Sequence, residues 1–497
     1  MAGIAAFGRL VGAGWRLARH DALLPREFEV FYPPGLRAAG GVLRLFAGGA
    51  ARRGRPGERL ARALEGLGPV AIKLGQLLST RGDIFGAEFA EDLSHLKDRL
   101  PPFPTAVARA EIERELGKPV DAVFARFGEP VGAASLAQAH DAQMPDGRRV
   151  AVKVLRPGIE RRVEADSEAL RLAAALVEDH VPLARRLEPR AFADTVMRAT
   201  LLELDLRMEA AGADELREVM AADGYMAAPK VVWEAAGKRV LALEWAPGMP
   251  LSDPASLDQP GLDRKALANK VIRGFLAQAM DHGVFHADLH EGNLFVAAPD
   301  TLTAVDFGII GRLGRAERRY LAEILWGFLQ RDYMRVAQVH FDAGYVPAGQ
   351  DVAAFAQALR AVGEPVFGRP ASEVSMGRLL TQLFEITALF EMRLQPQLVL
   401  LQKTQLTVEG VARRIDPDHD IWAASDPVVR RWIARELSPK ARVERLVEEG
   451  LTALRRLSEP PPAVVVAPAA RRPSRLAWFV SGAALAGLAA WGVTLLT

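Results

Sequence analysis

The sequence predicts an α+β fold with two lobes, a helical extension before them and a C-terminal transmembrane helix. Short runs rich in apolar residues at 147–154, 240–245, 294–296 and 302–305 indicate β-strands. The segment 67–81 has the pattern of an apolar helix. The last 22 residues, 476–497, contain no charged side chain, which indicates a membrane span.

The most informative segment is 285–293, Phe-His-Ala-Asp-Leu-His-Glu-Gly-Asn, which an Asp-Phe-Gly triplet follows at 306–308. Phosphoryl transfer from ATP needs a carboxylate at the acceptor and oxygen ligands that hold Mg²⁺ on the phosphates. Asp288 can supply the first, and Asn293 and Asp306 can supply the second. Because kinase catalytic loops have this order, the sequence predicts a two-lobed protein-kinase-like fold with ATP and Mg²⁺ as cofactors.

A metal hydrolase is the first alternative, because His282, His286 and His290 recur every four residues. Such spacing would place three ligands on one face of a helix. However, His290 is followed by Glu-Gly-Asn, which indicates a turn and interrupts that face. The chain has no cysteine, which excludes a disulfide framework, a thiolate nucleophile and a Cys-based zinc site.

Positive charge is concentrated near the N-terminus. Residues 1–62 contain eleven Arg and four acidic residues, whereas the net charge of the whole chain is +2, too small to indicate nucleic-acid binding. Residues 1–39 are predicted to be a basic amphipathic segment that lies on an anionic membrane surface or packs on the protein's own core. One face carries Ile4, Phe7, Val11 and Trp15, and the other carries Arg9, Arg16 and Arg19.

Residues 40–130 are predicted to form the helical extension. Within its helix at 67–81, Lys73 and Gln76 are three residues apart and therefore share one face. Such a pair can be an ordinary polar feature of a helix surface, so these two residues alone do not indicate a function.

Residues 131–247 are predicted to form the first lobe, which binds the nucleotide. Its strand at 147–154 carries Lys153, the lysine that in kinases pairs with the α- and β-phosphates. Where a Gly-rich loop would cover the phosphates, the chain has Ala133, Ala134 and Ser135. Alanine restricts the positive φ that glycine allows, so we expect the nucleotide to be bound in an unusual way.

Acidic residues of the first lobe supply the partner for this lysine. Asp205 and Glu209 are four apart and share a helical face. Exposed acidic pairs are mostly solvated, but a kinase lysine needs a glutamate on a helix, and Glu209 is the predicted partner of Lys153. The strand at 240–245 ends at the hinge between the lobes, where Glu244 and its backbone would meet adenine.

The rest of the chain is predicted to be a helical second lobe, a linker and an anchor. The second lobe spans 248–458, and the Pro-rich linker spans 459–475. Arginines just before 476 predict a single-pass anchor with the catalytic domain in the cytoplasm. Ala483 and Gly487 form a small-xxx-small pair that can pack on another helix, which leaves a homodimer open.

The motifs together resemble one family. Their order is Lys-x-Gly-Gln at 73–76, the Ala-rich loop, Val-Ala-Val-Lys at 150–153, Glu-Leu-Asp at 203–205, His-Ala-Asp-x-His-x-Gly-Asn at 286–293 and Asp-Phe-Gly at 306–308. The chain therefore resembles the UbiB family of atypical kinases, the aarF-domain proteins linked to ubiquinone biosynthesis. The resemblance covers roughly 67–417, the segment 406–411 included.

This resemblance implies that the Lys-x-Gly-Gln helix lies over the place where a protein substrate would dock. Lys73 would contact Glu203, while Glu203 and Asp205 would act from the nucleotide side. It also implies an ATPase or small-molecule kinase that supports lipid-precursor handling, and not an ordinary protein kinase. In agreement, Ala287 replaces the Arg of His-Arg-Asp, and no Ala-Pro-Glu follows Asp306. The family resemblance further implies that the membrane of the predicted anchor is a bacterial-type inner membrane.

The sequence thus predicts an ATP-dependent phosphotransferase or ATPase in which Asp288 and Lys153 are catalytic and Asn293 and Asp306 hold Mg²⁺. Expected partners are anionic membrane lipid and either a quinone precursor or ubiquinone-biosynthesis proteins. Two other functions stay open. One is a small-molecule kinase similar to the aminoglycoside and choline kinases, and the other is a non-catalytic scaffold that binds nucleotide to order a biosynthetic complex.

Overall fold

The computed structural model describes residues 2–31, 34–49, 54–79, 87–94, 96, 101–180, 188–365, 382, 386, 389–392 and 396–436. The predicted linker at 459–475 and the predicted transmembrane helix at 476–497 lie outside these ranges. Among the helices within them, none is long and apolar enough to cross a membrane.

Ahead of the first strand, the described elements are all helical. Pro34, Pro56 and Pro69 each stand at the first position of a helix, where a missing N–H costs nothing and φ is already suitable. The predicted helical extension is thereby present. The helices are α1 (Ala2–Arg19), α2 (Pro34–Leu45), α3 (Pro56–Glu65), α4 (Pro69–Leu78), α5 (Ala87–Ser94), α6 (Thr105–Leu116) and α7 (Val120–Val123), with a 3₁₀ turn at Arg26–Phe31.

The first lobe is built on an antiparallel five-stranded sheet in the order β1-β2-β3-β5-β4. Val150, Val152 and Val154 are fully buried on one face of β3, which follows from strand alternation. The strands are β1 (Arg126–Ala133), β2 (Ala137–Gln143), β3 (Arg149–Leu155), β4 (Val231–Ala236) and β5 (Val240–Glu244). Between β3 and β4 lie α8 (Ile159–His180), α9 (Pro189–Glu203) and α10 (Leu206–Asp223).

The second lobe is mainly helical and carries two small sheets. The predicted strands at 294–296 and 302–305 are confirmed as an antiparallel hairpin, in which Leu294 pairs with Ala304. The sheets are formed by β6 (Met249–Pro250), β8 (Leu294–Ala297) and β9 (Thr301–Ala304), and by β7 (Val284–His286) and β10 (Ile310–Arg312). The helices are α11 (Arg264–Ala277), α12 (Arg315–Leu329), α13 (Tyr333–Asp342), α14 (Val352–Gly363), α15 (Pro396–Ile415) and α16 (Ile421–Glu436).

The orientation of α1 distinguishes the two arrangements predicted for it. Phe7, Val11 and Trp15 are exposed, whereas the small side chains Ala6 and Ala18 are buried. Arg9 forms an ion pair with Asp166 of α8. Phe7, Val11 and Trp15 are therefore not part of the buried core of the described residues. Trp15 instead lies beside Phe46, just after α2, with 5.1 Å between ring centroids.

Candidate active site

A cavity of about 110 Å³ brings together most of the predicted site residues. It is bounded by the loop between β1 and β2, strand β3, helices α4 and α10 and the Asp-Phe-Gly segment. Its lining includes Lys73, Gln76, Ala134, Lys153, Glu203, Glu209, Asp288 and Asp306. The predicted residues Ala133, Ser135, Asp205, Glu244 and Asn293 do not line it, although Asp205 borders a neighbouring cavity.

Lys153 connects the two lobes. Because alternate residues of β3 point to opposite faces, Lys153 projects away from the buried valines. Its Nζ lies 2.8 Å from both Oε1 and Oε2 of Glu209 and 3.1 Å from Oδ1 of Asp306. The predicted contact with Glu209 is therefore present, and the ammonium group also reaches the Asp-Phe-Gly aspartate.

One ammonium group between two carboxylates sets the charge of this cluster. The charge of Lys153 lowers the pKa of Asp306 to about 2. Burial raises the pKa of Glu209 to about 7, since Lys153 offsets only part of the cost of a charge there. Burial alone would lower the pKa of Lys153, but the two carboxylates raise it. At neutral pH, Lys153 is charged, Asp306 is ionised, and Glu209 is near the midpoint of its titration.

The catalytic loop is held by a buried histidine. The backbone N–H of Asp288 donates to Nδ1 of His286 at 3.1 Å, so the other ring nitrogen, Nε2, carries the proton and donates to the carbonyl of Val305 at 3.1 Å. Burial lowers the pKa of His286, which keeps the ring neutral. This side chain thereby joins the backbone of Asp288 to the residue just before Asp306.

Helix α15, which comes much later in the chain, also contacts the catalytic loop. Oγ1 of Thr404 is buried and lies 3.0 Å from the carbonyl oxygen of Ala287 and 2.8 Å from that of Leu400, so its single proton is shared between them. Arg414 forms an ion pair with Glu291. Helix α15 therefore contacts the backbone just before Asp288 and a side chain three residues after it.

Asp306 has a backbone conformation uncommon for a residue with a side chain. Its φ is +62°, in the left-handed region, where aspartate is tolerated better than most residues. Phe307 after it is buried, and its ring packs on His286 with 5.3 Å between centroids. The packed Phe307 holds the Asp306 carboxylate in the cleft beside Lys153.

Asn293 and Asp306 each offer an oxygen ligand of the kind that Mg²⁺ takes. Nδ2 of Asn293 donates to the carbonyl of Asp288 at 3.0 Å, which leaves its Oδ1 as an oxygen ligand. Asp306 is ionised, and Mg²⁺ in nucleotide sites takes one or two carboxylates together with phosphate oxygens and water. Within the described ranges no group of three or more His, Cys, Asp or Glu is arranged to hold a metal ion. A site of this kind needs fewer protein ligands than such a group.

The alternative of a three-histidine metal site is wrong. His282 faces Asp223, with 3.3 Å between Nε2 and Oδ1, whereas His286 is buried between the two catalytic segments and His290 stands beside Asp288. A π-helical turn at Gln278–His282 and strand β7 interrupt the helix that would have aligned them.

Lys73 and Glu203 form the ion pair that the family resemblance implied. The side chain of Lys73 is buried, and it lines the cavity together with Gln76 from the same face of α4. Ligand sites usually offer about 300 Å³ or more, so the cavity of about 110 Å³ that α4 helps to line is small for a nucleotide.

The Ala-rich loop is held by a residue that the sequence did not single out. Nε and Nη2 of Arg156 lie 2.9 and 2.8 Å from the carbonyl oxygen of Ala134. The backbone N–H of Ala134 closes the turn on the carbonyl of Ala137 at 2.8 Å. A clue in the sequence is that Arg156 directly follows the strand that carries Lys153.

Glu244 and Asp205 make contacts outside this cavity. Glu244 ends β5, and its Oε1 is 3.6 Å from Nη1 of Arg148. Asp205 is the N-cap of α10 and accepts from the backbone N–H of Arg207 at 3.2 Å. Asp205 therefore fixes the start of the helix that carries Glu209.

Comparisons with known proteins agree with this architecture. Residues 95–340 match the ABC1 atypical kinase-like domain, and residues 359–420 match the UbiB helical domain. A solved structure, the complex of Rv3197 with erythromycin from Mycobacterium tuberculosis, is similar with a TM-score of 0.53 and 23% identity, over 73% of this chain and 93% of that one. At that identity the likeness shows the kinase-like fold.

Curated relatives are more similar in sequence. The "Probable protein kinase UbiB" of Marinobacter nauticus is 42% identical over 395 residues, which is 78% of this chain and 72% of the relative. The protein of the same name from Aliivibrio fischeri is 41% identical over 400 residues, 79% of this chain and 73% of the relative. The motif order, the kinase-like cleft and these matches together show that the chain belongs to the UbiB family of atypical kinases.

Proposed function

We propose that this chain uses Mg²⁺-ATP for phosphoryl transfer or ATP hydrolysis at a membrane surface, in support of ubiquinone biosynthesis. The observation that carries the proposal is the joined cluster of Lys153, Glu209 and Asp306 in a cleft that also contains Asp288. A kinase-like lysine bonded to its helix glutamate is the arrangement that positions phosphates for transfer.

Each residue has a distinct task in this mechanism. Lys153 binds the phosphates, and Glu209 orients its ammonium group. Asn293 and Asp306 would hold Mg²⁺, which supplies charge neutralisation on the phosphates. Asp288 accepts the proton of the attacking hydroxyl or water as the bond from that oxygen to the γ-phosphorus forms. The bond to the bridging oxygen breaks, and ADP leaves with its electron pair.

The setting of the reaction is inferred from the relatives and from the surface. The relatives carry the name UbiB, which supports a role in the synthesis of ubiquinone. The N-terminal segment is rich in arginine and exposes five large apolar side chains, Phe7, Val11, Trp15, Leu45 and Phe46. Such a surface suits an anionic bilayer, and the uncharged segment 476–497 would anchor the chain to the same membrane.

The test is ATP turnover by the purified full chain, measured with and without Mg²⁺, anionic or neutral vesicles, and phenolic quinone precursors. We expect Mg²⁺-dependent turnover that anionic vesicles increase more than neutral ones. Asp306→Asn should lose Mg²⁺-dependent turnover by about 10²-fold or more. Nucleotide binding without turnover in the wild type would instead favour a scaffold, and an Asp306→Asn variant equal to the wild type would refute the proposed chemistry.

A further inference from the structure

His290 stands beside Asp288 and has no task in the mechanism above. The backbone N–H of Gly292 donates to its Nδ1 at 3.0 Å. Since a backbone N–H can only donate, Nδ1 is an acceptor and the proton of the neutral ring is on Nε2. This bond holds the ring in place, with the donor nitrogen on the side of the catalytic carboxylate.

The donor of His290 is close to Asp288 but does not bond to it. Nε2 lies 3.7 Å from Oδ2 of Asp288, which is beyond hydrogen-bond distance. The His290 side chain is 51% exposed and that of Asp288 is 32% exposed, so both groups are open to an incoming molecule. An oxygen atom placed between or above them could accept from the ring.

The place of His290 in the chain puts it between two groups of the site. It lies two residues after the base, Asp288, and three residues before Asn293, one of the residues that would hold Mg²⁺. The 3₁₀ turn Glu291–Asn293 follows His290 directly, so the three residues belong to one short segment. In phosphoryl transfer, the transferred group lies between the base at the acceptor and the metal on the phosphates.

The transferring phosphoryl group needs hydrogen-bond donors for its oxygens, and the lysines of this cleft already have other partners. Charge spreads over the equatorial oxygens of the phosphoryl group in the transition state. Lys153 already binds the α- and β-phosphates in the proposed mechanism, and Lys73 is paired with Glu203. Ala287 stands where many kinases have an arginine, so the catalytic loop has no cation at that position.

We propose that His290 is a catalytic residue whose Nε2–H donates a hydrogen bond to an oxygen of the transferring phosphoryl group. This inference rests on the proposed function and adds a residue to it. His290 keeps its proton throughout. The acceptor oxygen bonds to the γ-phosphorus, its proton goes to Asp288, and the electron pair of the broken bond leaves with ADP.

The experiment compares His290→Ala with His290→Gln in the full chain, by single-turnover rate with Mg²⁺-ATP and by the dissociation constant of fluorescent ADP. Loss of one preorganised donor to a developing oxyanion should slow the Ala variant by about 10²-fold. Affinity for ADP should change by less than about 2-fold, since ADP lacks the γ-phosphoryl group. The Gln variant, which keeps an N–H donor near the place of Nε2, should recover most of the rate.

His282→Ala is the matched control, because it removes a histidine of the same region that faces Asp223 on the surface. It should keep the wild-type rate. A His290→Ala rate within about 2-fold of wild type, or a loss of ADP affinity as large as the loss of rate, would overturn the role of His290. Asp288→Asn separates the two ideas: if it is inactive while His290→Ala is active, the proposed function stands and the role of His290 fails. If Asp288→Asn is fully active, the proposed function itself fails.

Discussion

Lys153 places its Nζ at 2.8 Å from both carboxylate oxygens of Glu209, across 56 residues of sequence. Burial raises the pKa of that carboxyl group from its ordinary 4.5 to about 7. The folded protein therefore binds a proton on Glu209 at pH values where the unfolded chain has released it. The contribution of Glu209 to the free energy of unfolding is fully present below pH 4.5 and is lost as the pH rises through about 7.

We expect this loss to disappear in Glu209→Gln, because an amide does not titrate. Between pH 5 and pH 8, the nucleotide-free wild type should lose on the order of 2 kcal/mol more unfolding free energy than the variant. Chemical denaturation of both proteins across this range measures the difference, and groups that titrate elsewhere cancel. Parallel pH curves for the two proteins would show that Glu209 keeps an ordinary pKa.

The ion pair between Lys73 and Glu203 should contribute to stability mainly because Lys73 is buried. Glu203→Gln leaves that ammonium group without its charged partner, and we expect a loss on the order of 3 kcal/mol. Adding Lys73→Met to Glu203→Gln should recover most of it, since the uncompensated charge is gone. Unfolding free energies of the two single variants and the double variant complete the cycle.

Glu234→Gln serves as the control for this cycle. Glu234 pairs with Arg148 at 3.2 Å on the exposed surface of the first lobe. An exposed pair contributes little, so the control should lose less than about 1 kcal/mol. Equal losses in Glu203→Gln and Glu234→Gln would mean that the pair at Lys73 is no more than a surface contact.

Arg156 should set nucleotide affinity through the Ala-rich loop. Its two nitrogens lie 2.9 and 2.8 Å from one carbonyl oxygen, that of Ala134, a contact that the single nitrogen of lysine cannot reproduce. Arg156→Lys should raise the KM for ATP by about 10-fold, as expected for a loss of one to two hydrogen bonds, and should change kcat less. Steady-state kinetics separate the two constants.

Arg126→Lys is the matched control for Arg156→Lys. It changes the arginine at the start of β1, which pairs with Asp141 at 2.7 Å, away from the loop. The control should leave the KM for ATP unchanged. If Arg156→Lys lowers thermal stability without changing KM, Arg156 supports only the fold.

The sequence predicts features that depend on neighbouring residues, and it does not predict contacts between residues far apart in the chain. The hairpin around Leu294 and Ala304 and the turn at Gly292 were predictable because strand alternation and turn residues are local signals. The partner of Lys153 was predictable because a known motif order supplied it. Local patterns contain no information on which distant carbonyl a side chain will meet.

Three contacts show this limit. Arg156 reaches back 22 residues to Ala134, and Thr404 reaches back 117 residues to Ala287. The ring of His286, in β7, bonds to the carbonyl of Val305, which directly follows β9 of a different sheet, so the bond depends on how these segments approach one another. These bonds are formed by tertiary packing, and arginine, threonine and histidine occur as readily at positions without such partners.

Gly311 should be indispensable for the strand that precedes the catalytic loop. It lies directly opposite Phe285 in the pairing of β10 with β7, and a Cβ added there would overlap the Phe285 ring. That ring is fully buried and packs edge-on against Phe275 at 5.7 Å, so it cannot move aside cheaply. Gly311→Ala should therefore cost about 3 kcal/mol of unfolding free energy or more.

Gly132→Ala is the matched comparison, because no atom lies within 4 Å of a Cβ added there. It should change the unfolding free energy by less than about 1 kcal/mol. Since Phe285 is followed by His286, a displaced strand in Gly311→Ala should also disturb the bond from the His286 ring to Val305 and slow ATP turnover at temperatures where the variant is still folded. Denaturation curves and turnover at low temperature measure the two effects. A Gly311→Ala protein as stable and active as Gly132→Ala would mean that the ring of Phe285 has room to turn, and that the support of Asp288 does not depend on this strand.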